Sequence, residues 1–187
     1  MSIDKDLKES NKLLALYNVV PNLVWSIINL TPISIYCYNH LDQKIFYIFL
    51  GTSFIPIFFK NVFLDSFKIG KTTAVYKKLG VHFINKFAQN GQIINALVKK
   101  KYPNHKIIAI QKLSISKLIN QTYIFEKFHL ILFLFYSFTM VEAIINSRLT
   151  WALIIVLTNI VYNIYPNLLQ QYIRIKLTKF KSSRQIL

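Results

Sequence analysis

Apolar residues gather into long runs separated by polar stretches, and the runs are long enough to be read against a bilayer. The first covers residues 13–38, the second 45–64, the third 128–145 and the fourth 149–169. A helix rising 1.5 Å per residue needs roughly 20 apolar residues to cross a hydrocarbon core, so each run predicts a transmembrane helix. Pro21 and Pro32 interrupt the first run and predict a kinked span or a re-entrant start. Gly51 and Pro56 lie inside the second, and a short polar turn, Asn146 to Arg148, joins the third to the fourth. Trp25 and Trp151 fall where interfacial anchors are expected.

Residues 66–127 differ in kind. Tyr76, Leu79, Phe83, Ile84 and Phe87 recur at helical spacing, as do Ile93, Ile94, Leu97 and Val98, with lysines on the other faces. This pattern predicts short amphipathic helices, broken at Gly91 and at the turn Tyr102-Pro103-Asn104. Such helices either lie on a membrane surface or form a small cytoplasmic domain with its own core. The residues after Phe180 are expected to be disordered. The fold class expected is an all-α integral membrane protein, a single membrane domain of about four transmembrane helices with cytoplasmic interfacial helices.

Charge sets the orientation. The 187 residues include 23 Lys and Arg against 7 Asp and Glu, although 53% are hydrophobic. Residues 66–127 hold 12 lysines and one acid, and the tail from Ile173 holds five Lys or Arg. The two short connections hold one cation each, Lys44 and Arg148. The positive-inside rule therefore places both termini and the central segment in the cytoplasm, in a multi-pass protein of the cell membrane. The cations suit an anionic leaflet better than nucleic acid, because the apolar runs need lipid. The polar, mixed-charge N-terminus does not read as a cleaved signal peptide. The lone Cys37 excludes an internal disulfide and any zinc-type cysteine spacing.

Ionisable groups inside or beside spans are costly, which makes them functional candidates. Glu126 and His129 stand three apart, on one helix face, where the third apolar run opens. A carboxylate beside an imidazole makes a general base, and the same pair also serves simply to mark a helix end. A di-iron site would need a second Glu-x-x-His and further carboxylates, so no metal is expected. The end of the fourth run carries Asn159, Asn163, Tyr165, Pro166, Gln170, Tyr172 and Arg174. Asn159 and Asn163 share a face, and Arg174 and Lys176 lie where a phosphate would sit or where topology alone would place cations. The triplet Lys99 to Lys101 has the same two readings, and Glu142 belongs at the outer interface. His82 and Asn85 are candidate binding groups on an amphipathic helix, where a histidine is also an ordinary interfacial residue. His40 and His105 fall in apparent loops. Phosphate-binding glycine loops, nucleophile elbows and kinase signatures are missing from the sequence.

Three stretches together resemble the glycosyl-diaponeurosporenoate acyltransferase family of carotenoid biosynthesis. They are Leu79-Gly80 through Gly91, Glu126-x-x-His129 opening an apolar span, and Asn163-x-Tyr165-Pro166 followed by Gln170-x-Tyr172-x-Arg174. The last is similar to the family's Gln-Arg-Tyr-x-Arg ending, and the order and spacing match from about residue 60 to 177. The chain departs from the pattern at His82 and Asn85, where the family often has arginine and lysine, and at Gln171, where it has arginine. The resemblance implies an enzyme that moves a fatty acyl group onto a hydroxyl of a membrane-embedded glycolipid such as a carotenoid glycoside. It implies His129 and Glu126 as catalytic residues, and Asn163, Gln170, Tyr172 and Arg174 as substrate-binding, while His82 and Asn85 stand as substrate-binding candidates on their own chemistry. The donor expected is acyl-CoA, with no bound cofactor, and the partners are membrane lipids and the glycosylated acceptor. A non-catalytic lipid-binding or assembly protein and a small transporter subunit are the alternatives. Midplane polar groups and internal repeats would favour the transporter.

Overall fold

The computed structural model describes residues 2–87, 91–103 and 115–185, and these are almost entirely helical, with no strands among them. Helix α1 (Ser2–His40) is followed by α2 (Gln43–Ser53), a 3-10 turn (Ile55–Phe58) and α3 (Asn61–Ser66). Three short helices follow, α4 (Thr73–Lys78), α5 (Val81–Phe87) and α6 (Gln92–Lys101). Then come α7 (Ile115–Ile145), α8 (Leu149–Asn159), a π-helical turn (Ile160–Ile164) and α9 (Tyr165–Gln185). His105 and Asn104 lie outside the described residues.

Three stretches are long and apolar enough to cross a bilayer: Lys8–His40, Ile115–Ile145 and Leu149–Ser183. The chain is therefore a helical membrane protein. The apolar run at 45–64 is not one helix. The apolar helical stretch Gln43–Phe58 covers 16 residues, about 24 Å at the α-helical rise, which is short of a hydrocarbon core of roughly 30 Å. Pro56 sits at the start of the 3-10 turn, and the backbone is extended at Phe59 and Lys60 before α3 begins. By contrast Pro21 and Pro32 lie inside α1 without ending it.

Two further differences from expectation bear on the site. Helix α7 starts at Ile115, 13 residues before the apolar run opens at 128, because no glycine or proline interrupts residues 115–145. Glu126 and His129 consequently lie inside a longer helix and not in its first turn. Helix α9 continues through Gln185, so the segment expected to be disordered is helical that far. Lys181 Nζ donates to Ser116 Oγ at 3.0 Å and ties the end of α9 to the start of α7.

One end of the bundle is closed by α1, α7 and α8. Tyr36 donates to Glu142 Oε2. The same carboxylate accepts from Asn146 Nδ2 and pairs with Arg148 at 3.5 Å. His40 and Trp151 stack beside Tyr36. Glu142, expected merely to face the interface, is thus the centre of a polar clasp. Below it a core of Ile33, Tyr36, Tyr136, Ala143, Ala152 and Ile155 joins the three helices. The outer face of α8 and the π turn after it shows Leu149, Leu153, Leu157 and Val161, four residues apart and 67%, 58%, 54% and 42% exposed, as a lipid-facing stripe would be.

At the other end the short helices wrap the bundle. Gly80, at φ 76°, ends α4 in the left-handed conformation and lets α5 start at once, a use that explains the glycine of the first motif. Tyr76 and Val81 pack with Leu169 and Tyr172 of α9 in a second core. α6 buries Ile94 and Val98 and packs against α1. Leu79, Phe83, Ile93 and Leu97 remain exposed beside the lysines. The short helices therefore have a core of their own with the bundle and also an outward apolar face.

Candidate active site

The buried face of α7 meets α9 in a line of polar side chains. Its charged part centres on Glu126 and Arg174, whose side chains are each only 1% exposed. Arg174 Nη1 donates to Glu126 Oε2 at 2.6 Å, and Gln171 Nε2 donates to Glu126 Oε1 at 2.8 Å. Gln171 Oε1 in turn accepts from the Tyr76 hydroxyl at 3.0 Å. Burial pushes the Tyr76 phenol up from its ordinary value, opposed by its hydrogen bond to the Gly70 carbonyl, so it remains a donor. The Arg174 guanidinium lies over the Tyr123 ring, 4.0 Å from its centroid, a cation–π contact. Its Nε stands 3.3 Å from Asp65 Oδ1, and Tyr123 donates to both Asp65 oxygens at 3.0 Å. A carboxylate and a guanidinium can remain charged at this depth because each has the other and several further polar neighbours.

His129 lies one turn along from Glu126, on the same helix. Both Glu126 oxygens are committed to α9, so the expected hydrogen bond from carboxylate to imidazole is not formed. The polar groups beside the His129 ring are instead Asn163 and the Tyr162 backbone. Its Nδ1 is buried without a full hydrogen bond, and so is Asn163 Oδ1. The Tyr162 ring meets the imidazole edge-on at 6.0 Å. Asn163 sits in the π turn, a distortion that helices often keep at functional positions. Asn163 Nδ2 donates to Asn159 Oδ1 at 2.8 Å, as their shared face led one to expect. Asn167, one turn further, is buried with Oδ1 unpartnered.

The remaining candidates separate. Tyr172 is buried against Tyr76, with Lys176 Nζ 5.1 Å from its ring centroid. Gln170 is half-buried, and it is its neighbour Gln171 that bonds to Glu126 and Tyr76. Arg174, expected where a phosphate would sit, is buried with its Nη1 paired to Glu126. His82 is exposed and Asn85 half-buried on α5, away from the hydrogen-bonded network. Lys99, Lys100 and Lys101 are exposed in the last turn of α6. Sequence reasoning missed Asp65, Tyr76, Thr122, Tyr123 and Gln171. Thr122 precedes Glu126 by one helical turn, and that spacing was the only local sign of a longer polar face.

Fold and site together define a polytopic helical membrane protein with buried, partly uncommitted polar chemistry between two of its long helices. The model of the family described as glycosyl-4,4'-diaponeurosporenoate acyltransferase matches residues 60–183, and the chain belongs to that family. It is accordingly a membrane acyltransferase. The matched region holds every residue of the Glu126 and His129 clusters and leaves out α1 and α2. Comparison with curated proteins and with solved structures found no match.

Proposed function

We propose that the protein transfers a fatty acyl group from acyl-CoA to a hydroxyl of a carotenoid glycoside held in the bilayer, with His129 as general base. The observation that carries this reading is the half-buried His129 imidazole, its Nδ1 withdrawn from the surface beside Asn163 and free of the Glu126 carboxylate. In the reaction the acceptor oxygen attacks the thioester carbonyl carbon while the imidazole takes its proton. The tetrahedral intermediate collapses, the carbon–sulfur bond breaks, and the proton passes to the leaving thiolate. One acyl–oxygen bond replaces one acyl–sulfur bond, and no metal or redox partner is required.

Glu126 acts in this account by seating Arg174 and Gln171, which fix α9 against α7 and, through Tyr76 and Asp65, hold residues 65–76 over the bundle end. The exposed lysines of α4 and α6 suit the phosphates of the donor and the anionic cytoplasmic leaflet. The outward Leu79, Phe83, Ile93 and Leu97 support an interfacial position for these helices, with both termini cytoplasmic. Mass spectrometry of pigment extracts from cells making the carotenoid glycoside, with and without this protein, tests the reading. Acylated glycoside should appear only with the protein, and identical extracts would refute it.

A further inference from the structure

The His129 ring has two nitrogens, and only the one without a proton can act as the base. We propose that Asn159 and Asn163 form a relay that fixes the His129 proton on Nδ1 and leaves Nε2 to take the hydroxyl proton. This rests on His129 being the base of the proposed function.

The relay starts at a group that can only accept. The Phe133 carbonyl has no proton to give, so the Asn159 amide 3.3 Å away must present its nitrogen, which also reaches Ser137 Oγ at 3.3 Å. That turns Asn159 Oδ1 toward Asn163, which must answer with its own nitrogen, and does so at 2.8 Å. Asn163 is then left with Oδ1, an acceptor, beside the imidazole, and that oxygen is fully buried with no other partner. His129 Nδ1 is buried in the same condition, and Asn163 is the side chain beside its ring, so the two unpartnered atoms are paired in this proposal. A proton on Nδ1 makes the two groups complementary. A proton on Nε2 would set the Nδ1 lone pair against an acceptor in a dry site. The Tyr162 carbonyl, the other polar group at the ring, also only accepts. Glu126 does not decide the tautomer, because Arg174 and Gln171 hold both of its oxygens. Asn159 and Asn163 are positioning residues that act through His129.

The test uses the full-length protein in detergent, with a long-chain acyl-CoA and a carotenoid glucoside. Asn163→Leu should lower kcat by about 100-fold, within the range general-base catalysis supplies, while the KM for the glucoside changes little. Asn163→Asp should recover only part of the rate, because a carboxylate accepts the same Nδ1 proton but has no N–H to give Asn159 Oδ1. Asn159→Leu should cost less, about tenfold, since Asn163 keeps its amide but loses what orients it. Nitrogen-15 NMR of labelled histidine, with His129 assigned by its loss in His129→Ala, should show the Nδ1-protonated tautomer in the parent protein. The Nε2-protonated tautomer in the parent protein, or a normal kcat in Asn163→Leu, would overturn the relay while leaving His129 as base. Normal turnover in His129→Ala would instead remove the base reading on which the relay rests. The NMR measurement stands even where a variant does not fold.

Discussion

Arg174 Nη1 and Glu126 Oε2 stand 2.6 Å apart, with both side chains withdrawn from the surface, one on α9 and the other on α7. They come from positions 48 residues apart and are the strongest polar link between the two helices at this end. Breaking such a buried pair leaves a charge with no partner, which costs about 3–5 kcal/mol, whereas removing both charges costs far less. Arg174→Met and Glu126→Leu should each lower stability by about that amount. The double variant should lose much less than the sum, as read by unfolding in mixed micelles. Additive losses would mean that the two residues do not act as a pair.

The lysine triplet at the end of α6 offers a second check. Its side chains are exposed in the last turn of the helix, as a binding surface for phosphate requires. Neutralising Lys99, Lys100 and Lys101 together should raise the KM for acyl-CoA on the order of tenfold with kcat little changed. The difference from the parent should shrink as salt shortens the Debye length. Kinetics that ignore both the substitutions and the salt would assign these residues to topology alone.

The order of the helices makes a third prediction. The Asn146 to Arg148 turn lies at the end of the bundle closed by Tyr36 and Glu142, while α4–α6 and the end of α9 lie at the other. With the lysines inside, reporters inserted after residue 100 and at the C-terminus should be cytoplasmic, and one in the turn external. A central segment found outside would reverse the assignment.

Much of this architecture was legible along the chain. The apolar runs marked the long helices, and the turn at Asn146 to Arg148 stands where it was expected, with Ser147 taking a left-handed backbone. The shared face of Asn159 and Asn163 followed from their spacing of four. What escaped was set by distance along the chain. Gln171 meets Tyr76 across 95 residues and Tyr123 meets Asp65 across 58, and no local spacing reports such meetings. Local rules misled at the site, and gave less than the detail along the second apolar run. A carboxylate three residues from an imidazole looked like a dyad, but the guanidinium of α9 outcompeted the ring for its oxygens. The run at 45–64 had the composition of a span, but the 3-10 turn at Pro56 and the extended Phe59 and Lys60 divide it.

The central claim is that His129 takes the proton of the acceptor hydroxyl, and turnover by folded His129→Ala protein tests it most directly. The imidazole makes no full hydrogen bond at Nδ1, and Glu126 and Arg174 hold each other without it, so the variant should insert and fold. Acyl transfer from acyl-CoA to a carotenoid glucoside should then fall by about 10²–10⁴-fold with the KM for both substrates nearly unchanged. Turnover within a few-fold of the parent protein would contradict the account.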